Sequence, residues 1–198
     1  LIKLKYVSID VETSGKRPWC DQILSFAAVI DDLKTPVSEL PRWHKVIEWE
    51  EIRGEPFAIA MNAEIIKKIA DKDYKEKVKP NRLGIEFKNF LLDNGYSQKY
   101  NRVMLNAAGK NFDSFDRQFL IRHEGFEDSI LIPPRVIDPT SMWLSPEDER
   151  PPDLKQCLER AGVVKEISHD ALDDALDVIY CIRADARIKM ERKKNATV

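Results

Sequence analysis

Two short apolar runs near the start of the chain, residues 4–9 and 22–31, restrict its fold more than any other feature. The first is rich in β-branched types and ends at Asp10. The second closes on Asp31 and Asp32. Apolar stretches of this length bounded by acids and turn residues are core strands. A third segment, 43–50, alternates Trp43, Lys45, Ile47 and Trp49 against His44, Val46, Glu48 and Glu50, which predicts a sheet edge with one wetter face. Helical periodicity begins after Pro56, around 62–70 and again over 82–94. A strand over 103–108, a helix over 112–124 and a short fifth strand over 135–138 follow, and helices over 153–161 and from 170 to about 190 close the pattern. This order predicts an α/β fold: a mixed five-stranded sheet flanked by helices, opening in antiparallel hairpins and finishing in crossovers.

With 198 residues, 43% of them hydrophobic, the chain can bury one sizeable core, so residues 1–198 are expected to form a single domain. Residues 145–153, polar and proline-rich, are expected to form a loop, and the charged end, 187–198, a helix that frays. The formal charge of −2 gives no global attraction for a polyanion, so a nucleic-acid partner has to be held locally. Cys20, Cys157 and Cys181 are odd in number and lack metal-ligand spacing, which points to a reducing compartment, with cytoplasm as the default. The first residues lack the pattern of a signal peptide, and no apolar run approaches the roughly 18 residues of a membrane span, so no membrane partner is expected.

The acidic residues carry the chemical signal. Asp10 and Glu12 lie two apart at the end of the first strand, so both side chains leave one face. As a pair alone they read first as a strand end opening into solvent, because Asp-x-Glu is a short and common string. Asp116 falls within an arc formed by Phe112, Phe115, Phe119 and Leu120 if 112–124 is a helix, and a bare carboxylate facing a core needs a cation, a metal or several donors. Asp113, at the edge of that arc, competes for the role. In the last cluster Ala171, Leu172, Ala175, Leu176, Val178, Ile179 and Ile182 form an apolar stripe. Asp174 borders it, only slightly better placed than Asp173, while Asp170 and Asp177 are expected to point toward solvent. The helix dipole alone would favour aspartates at this N-terminus. His169 stands just before the helix. Four oxygen-donor carboxylates converging on one point would suit Mg²⁺ or Mn²⁺. Gly109-Lys110-Asn111 is not a P-loop, because Met104 stands where the required glycine should be. In the loop after the acid pair, Trp19 is a candidate base-stacking residue or a hairpin packing residue, and Ser14 and Gly15 are candidates for backbone contact.

In combination these segments resemble the DEDDh 3′ to 5′ exonuclease family, which includes oligoribonuclease, RNase T and the proofreading subunit of bacterial replicative polymerase. Asp10-Val11-Glu12-Thr13-Ser14-Gly15 is similar to its first motif, Lys110 to Leu120 to its second, and His169-Asp170-Ala171-Leu172-Asp173-Asp174 to its third, His-x-Ala-x-x-Asp. The resemblance implies a ribonuclease H-like sheet whose second strand is antiparallel, and a site for two Mg²⁺ or Mn²⁺ ions. By transfer, Asp10, Glu12, Asp116 and Asp174 are the metal ligands and His169 takes the proton from the attacking water. The products are nucleoside 5′-monophosphates released from single-stranded RNA or DNA 3′ ends. Thr13, Asn111, Phe115, Met61 and Asn62 are further substrate candidates, although Met61 is read first as a core residue. Family habit also implies a homodimer, and a subunit role in a polymerase or processing complex stays open, as does an inactive nucleic-acid-binding or scaffold protein on the same fold.

Overall fold

A computed structural model describes residues 4–165 and 170–196. In chain order its strands are β1 (Tyr6–Thr13), β2 (Ile23–Asp31), β3 (Arg42–Ile47), β4 (Lys77–Val78), β5 (Gln98–Lys99), β6 (Arg102–Met104), β7 (Ala107–Ala108) and β8 (Ile130–Leu131). Its helices are α1 (Pro56–Met61), α2 (Ala63–Ala70), α3 (Leu83–Asp93), α4 (Asp116–Leu120), α5 (Phe126–Ser129), α6 (Pro139–Met142), α7 (Leu154–Arg160) and α8 (Ala171–Asn195). The main sheet has the order β4-β3-β2-β1-β7. β2 runs antiparallel to both β1 and β3, whereas β4 and β7 pair in parallel with β3 and β1.

The period-2 alternation of β1 sorts its residues between two cores. Val7, Ile9 and Val11 pack with Phe26, Trp43, Phe87, Phe112 and Phe126 on one side of the sheet. The Phe26 ring meets Phe87 edge-on at 4.8 Å and Trp43 at 5.1 Å. On the other side Tyr6 joins Val29, Ala108, Ile179 and Ile182, and the Ser8 hydroxyl donates to the Ala175 carbonyl at 2.8 Å. Asp10 and Glu12 continue this second series, so α8 crosses the sheet on their side. Lower down, buried Asp31 accepts from the Tyr6 hydroxyl at 2.6 Å and from the Arg183 Nη2 of α8 at 2.6 Å, clamping the helix to the sheet.

Several expectations need correction. The 43–50 segment is not a sheet edge, because β4 pairs outside it. The expected wetter face is present: in the His44 series Glu48 and Glu50 are exposed and Val46 alone is buried, against Ile65 and Ile69 of α2, while in the other series Trp43 and Ile47 are buried and Trp43 meets Phe87. The 103–108 strand is split: β6 joins a separate three-stranded sheet, β5-β6-β8, and only β7 reaches β1. Residues 135–138 contribute a single bridge, Ala108 to Ile137, and the fifth strand is β4, whose two residues are too few to show a period. The 112–124 helix shrinks to α4, because Asn111 takes a left-handed φ of 56° and Phe115 a non-helical ψ of −78°. The charged end is helical as expected, α8 running through Asn195, and residues 197–198 lie outside the described residues. Residues 145–153 do form a loop, pinned by the Asp148–Arg160 ion pair, and Asp153 starts α7 with a capping box. Among the described residues no helix is long and apolar enough to cross a membrane.

Candidate metal centre

The carboxyl end of β1 brings Asp10 and Glu12 onto the face covered by the first turn of α8. There one oxygen from each of Asp10, Glu12 and Asp174 lies within 4.8 Å of the other two. Asp116 approaches from α4. It is 3% exposed, and its Oδ1 accepts the backbone N–H of Val11 at 3.0 Å. The four carboxylates line one cleft of about 340 Å³ together with Val11, Lys110, Asn111, Ser114 and Phe115. A larger hollow of about 740 Å³, bordered by Trp49, Arg53 and Lys79, shares no residue with it and offers no such convergence of donors.

Crowding these acids makes ionisation costly. Burial pushes Asp10 well above the ordinary carboxylate range, and Asp116, Asp174 and Glu12 push it further. Glu12 rises to about 7, first through burial and then through Asp174. Asp116 rises to about 7 through burial, partly offset by the Val11 N–H. Asp174 rises to about 7 through burial and the nearby Asp177. Among the described residues, Asp174 Oδ1 is buried without a hydrogen-bond partner. A buried carboxylate oxygen lacking a donor is unfavourable unless a cation reaches it. The all-oxygen donor set fits Mg²⁺ or Mn²⁺ better than softer metals.

The choices left open by periodicity are separated in three dimensions. Asp113 lies outside the cleft, exposed, and pairs with Arg117 at 2.7 Å, whereas Asp116 faces the other acids. Asp170 caps α8, accepting from the Leu172 N–H at 3.0 Å, and Asp174, one turn later, reaches the cleft. Asp177 does not point to solvent; it is fully buried and pairs with Lys165 at 2.8 Å, which compensates its charge. His169 lies outside the described residues.

The substrate candidates fall around the same strand end. The Asn62 Nδ2 donates to the Thr13 carbonyl at 3.1 Å, so Asn62 braces the backbone beside Glu12. The Thr13 hydroxyl is spent on the Gly15 carbonyl at 2.7 Å. The Ser14 backbone N–H is also spent, on Gln22 O at 2.9 Å, and its hydroxyl donates to Arg53 O while accepting the Gln22 N–H. A side chain at Gly15 would collide with the Asp21 carboxylate, so the loop closes tightly and presents Trp19 outward. Trp19 is 74% exposed and does not pack in the hairpin, and Met61, at 49%, is not a core residue. Met61 shares a face of α1 with Phe57, four residues earlier and 77% exposed. Phe57 was missed as a candidate, although its i, i+4 spacing to Met61 was the available signal. Asn111 and Phe115 line the carboxylate cleft directly.

No family model matches the chain, and no curated protein matches it. Solved structures do. The exonuclease I of E. coli in complex with a dT13 oligonucleotide superposes with a TM-score of 0.60 at 15% identity, covering 91% of this chain and 40% of that one. Exonuclease I from Methylocaldum szegediense gives a TM-score of 0.57 at 16% identity, covering 91% and 40%. A zinc-bound form of the E. coli exonuclease I complex with single-stranded DNA gives 0.58 at 15%, covering 92% and 40%. The chain therefore spans about two fifths of the length of these exonuclease I chains. Its mixed five-stranded sheet flanked by helices is the ribonuclease H-like α/β fold that they share.

Proposed function

We propose that this chain is a metal-dependent 3′ to 5′ exonuclease of the DEDDh type acting on single-stranded nucleic acid, with DNA as its first substrate. The observation that carries this reading is the convergence of Asp10, Glu12 and Asp174 oxygens within 4.8 Å of one another, beside a buried Asp116. A purely structural use of four acids would supply each with a donor, yet Asp174 Oδ1 has none among the described residues. The exonuclease I neighbours support the same reading, and those holding dT13 favour DNA over RNA.

Asp10, Glu12, Asp116 and Asp174 would hold the ions, and His169 would accept the proton of the attacking water on its neutral ring. Bound divalent ions would supply charge stabilisation at the entering and leaving oxygens. Water adds to the terminal phosphorus, the bond to the 3′ oxygen of the penultimate nucleotide breaks, and a nucleoside 5′-monophosphate leaves. Phe57, Met61 and Trp19 offer exposed apolar surfaces on which unpaired bases can stack.

The test is degradation of 5′-labelled single-stranded DNA and RNA of matched sequence with Mg²⁺ or Mn²⁺. The expected result is a ladder shortening from the 3′ end, absent with EDTA and in Asp10→Ala. Binding without cleavage by the metal-loaded wild type would instead favour a nucleic-acid-binding protein on this fold.

A further inference from the structure

Among the described residues, one cation lines the carboxylate cleft. Lys110 lines it with Asp10, Glu12, Asp116 and Asp174, is half-buried, and makes no hydrogen bond or ion pair among the described residues. Its backbone is held firmly. The Gly109 N–H donates to Ile137 O at 3.0 Å, and a Cβ at Gly109 would stand 2.8 Å from Ile9 O and 2.9 Å from Phe112 Cβ. The turn is thus pressed against β1 one residue before Asp10, an approach that only glycine permits. On its other side Asn111, at a φ of 56°, donates its N–H to Asp138 Oδ2 at 3.0 Å.

A long cationic side chain carried by a braced turn at the rim of the four-acid cleft, within electrostatic reach of Asp116 and bonded to none of the acids among the described residues, is set up to meet an anion brought by a ligand. Divalent ions at the cleft at most offset the carboxylates, so they leave little net positive potential for an incoming phosphate. The chain as a whole is also net negative, at −2. We propose that the Lys110 ammonium contacts a phosphate oxygen of the 3′-terminal linkage of the nucleic acid and positions it over the carboxylate cleft. This rests on the exonuclease reading above. The role differs from that of a P-loop lysine: here the phosphate is held by a side chain at a strand-flanking turn, with no glycine-rich cradle.

The experiment measures binding of a 5′-fluorescein-labelled oligothymidylate across a KCl series, with Ca²⁺ replacing Mg²⁺, for wild type, Lys110→Gln and Lys110→Arg. Lys110→Gln is expected to weaken binding about tenfold and to flatten the slope of log affinity against log salt by about 0.7, the loss of one single-strand phosphate contact. Lys110→Arg is expected to keep the wild-type slope. Unchanged affinity and slope in Lys110→Gln, with a wild type that still degrades the strand in Mg²⁺, would overturn this proposal alone. A wild type that neither binds nor degrades it would overturn both the exonuclease reading and this one. Weaker thermal stability of metal-free Lys110→Gln with an unchanged salt slope would assign Lys110 as a counter-ion to Asp116, and would also overturn the phosphate contact.

Discussion

Asp116 Oδ1 accepts the backbone N–H of Val11 at 3.0 Å across 105 residues of chain, joining the second acidic motif to the strand that carries the first. Val11 lies between Asp10 and Glu12, so this bond sets the depth at which Asp116 enters the cleft. The same carboxylate is thereby fixed by one oxygen, leaving the other for the cleft.

Asp116→Asn is expected to lower exonuclease turnover by more than about 100-fold, the upper end of what losing a metal's outer partner costs. Asp113→Asn is expected to retain most activity, because Asp113 is exposed and engages only Arg117 and its own turn. Equal loss in both variants would move the ligand role away from Asp116.

Stability of the metal-free protein should fall as pH rises. Glu12, Asp116 and Asp174 each titrate near about 7 in the fold, well above their ordinary values of 4.5, 3.8 and 3.8. The folded state therefore holds protons that the unfolded chain has lost, so the stability present below about pH 4 is lost progressively as pH rises through 7. Mn²⁺ binds the ionised form, so it should raise Tm more at pH 8 than at pH 5.5. In Asp10→Asn the metal-free protein should gain about 1–2 kcal/mol at pH 8, roughly 2–8 °C in Tm, and lose most of the response to Mn²⁺. Scanning calorimetry with and without EDTA checks both; a metal-free Tm that climbs from pH 5.5 to pH 8 would contradict the crowding of these acids.

If His169 is the general base, turnover at saturating metal should rise through the imidazole range, near about 6 to 7. Saturation matters because the carboxylates titrate in the same interval when no metal is bound. His169→Asn should flatten the profile as well as lower the rate, and a wild-type rate independent of pH there would remove the base role.

Arg183→Ala should destabilise the fold by about 3–5 kcal/mol, since it leaves Asp31 buried without its guanidinium partner. The double change Asp31→Asn with Arg183→Met should recover part of this loss, as removing both charges avoids an unpaired one. Denaturant unfolding reads the difference; a loss under about 1 kcal/mol, the scale of an exposed pair, would show that solvent reaches the Asp31 carboxylate.

The local pattern of the sequence determined the β1–β2 hairpin core, the α8 stripe and the candidate acids Asp10, Glu12, Asp116 and Asp174, because strand and helix periods sort side chains between faces within a few residues. It could not decide between Asp113 and Asp116 by a sound route. The helical wheel that favoured Asp116 assumed a helix over 112–115, where a turn ending in a non-helical Phe115 follows the left-handed Asn111. What selects Asp116 is its bond to Val11, a contact between segments distant in the chain. Asp177 was misjudged for the same reason, since its partner Lys165 lies on the preceding segment. The two-residue strands β4 and β7 are defined by the neighbours they pair with and carry no period of their own. The exposure of Trp19, Phe57 and Met61, and the position of Lys110 at the cleft, depend on which elements fail to cover them. That is a property of packing between distant segments, and only the tertiary structure decides it.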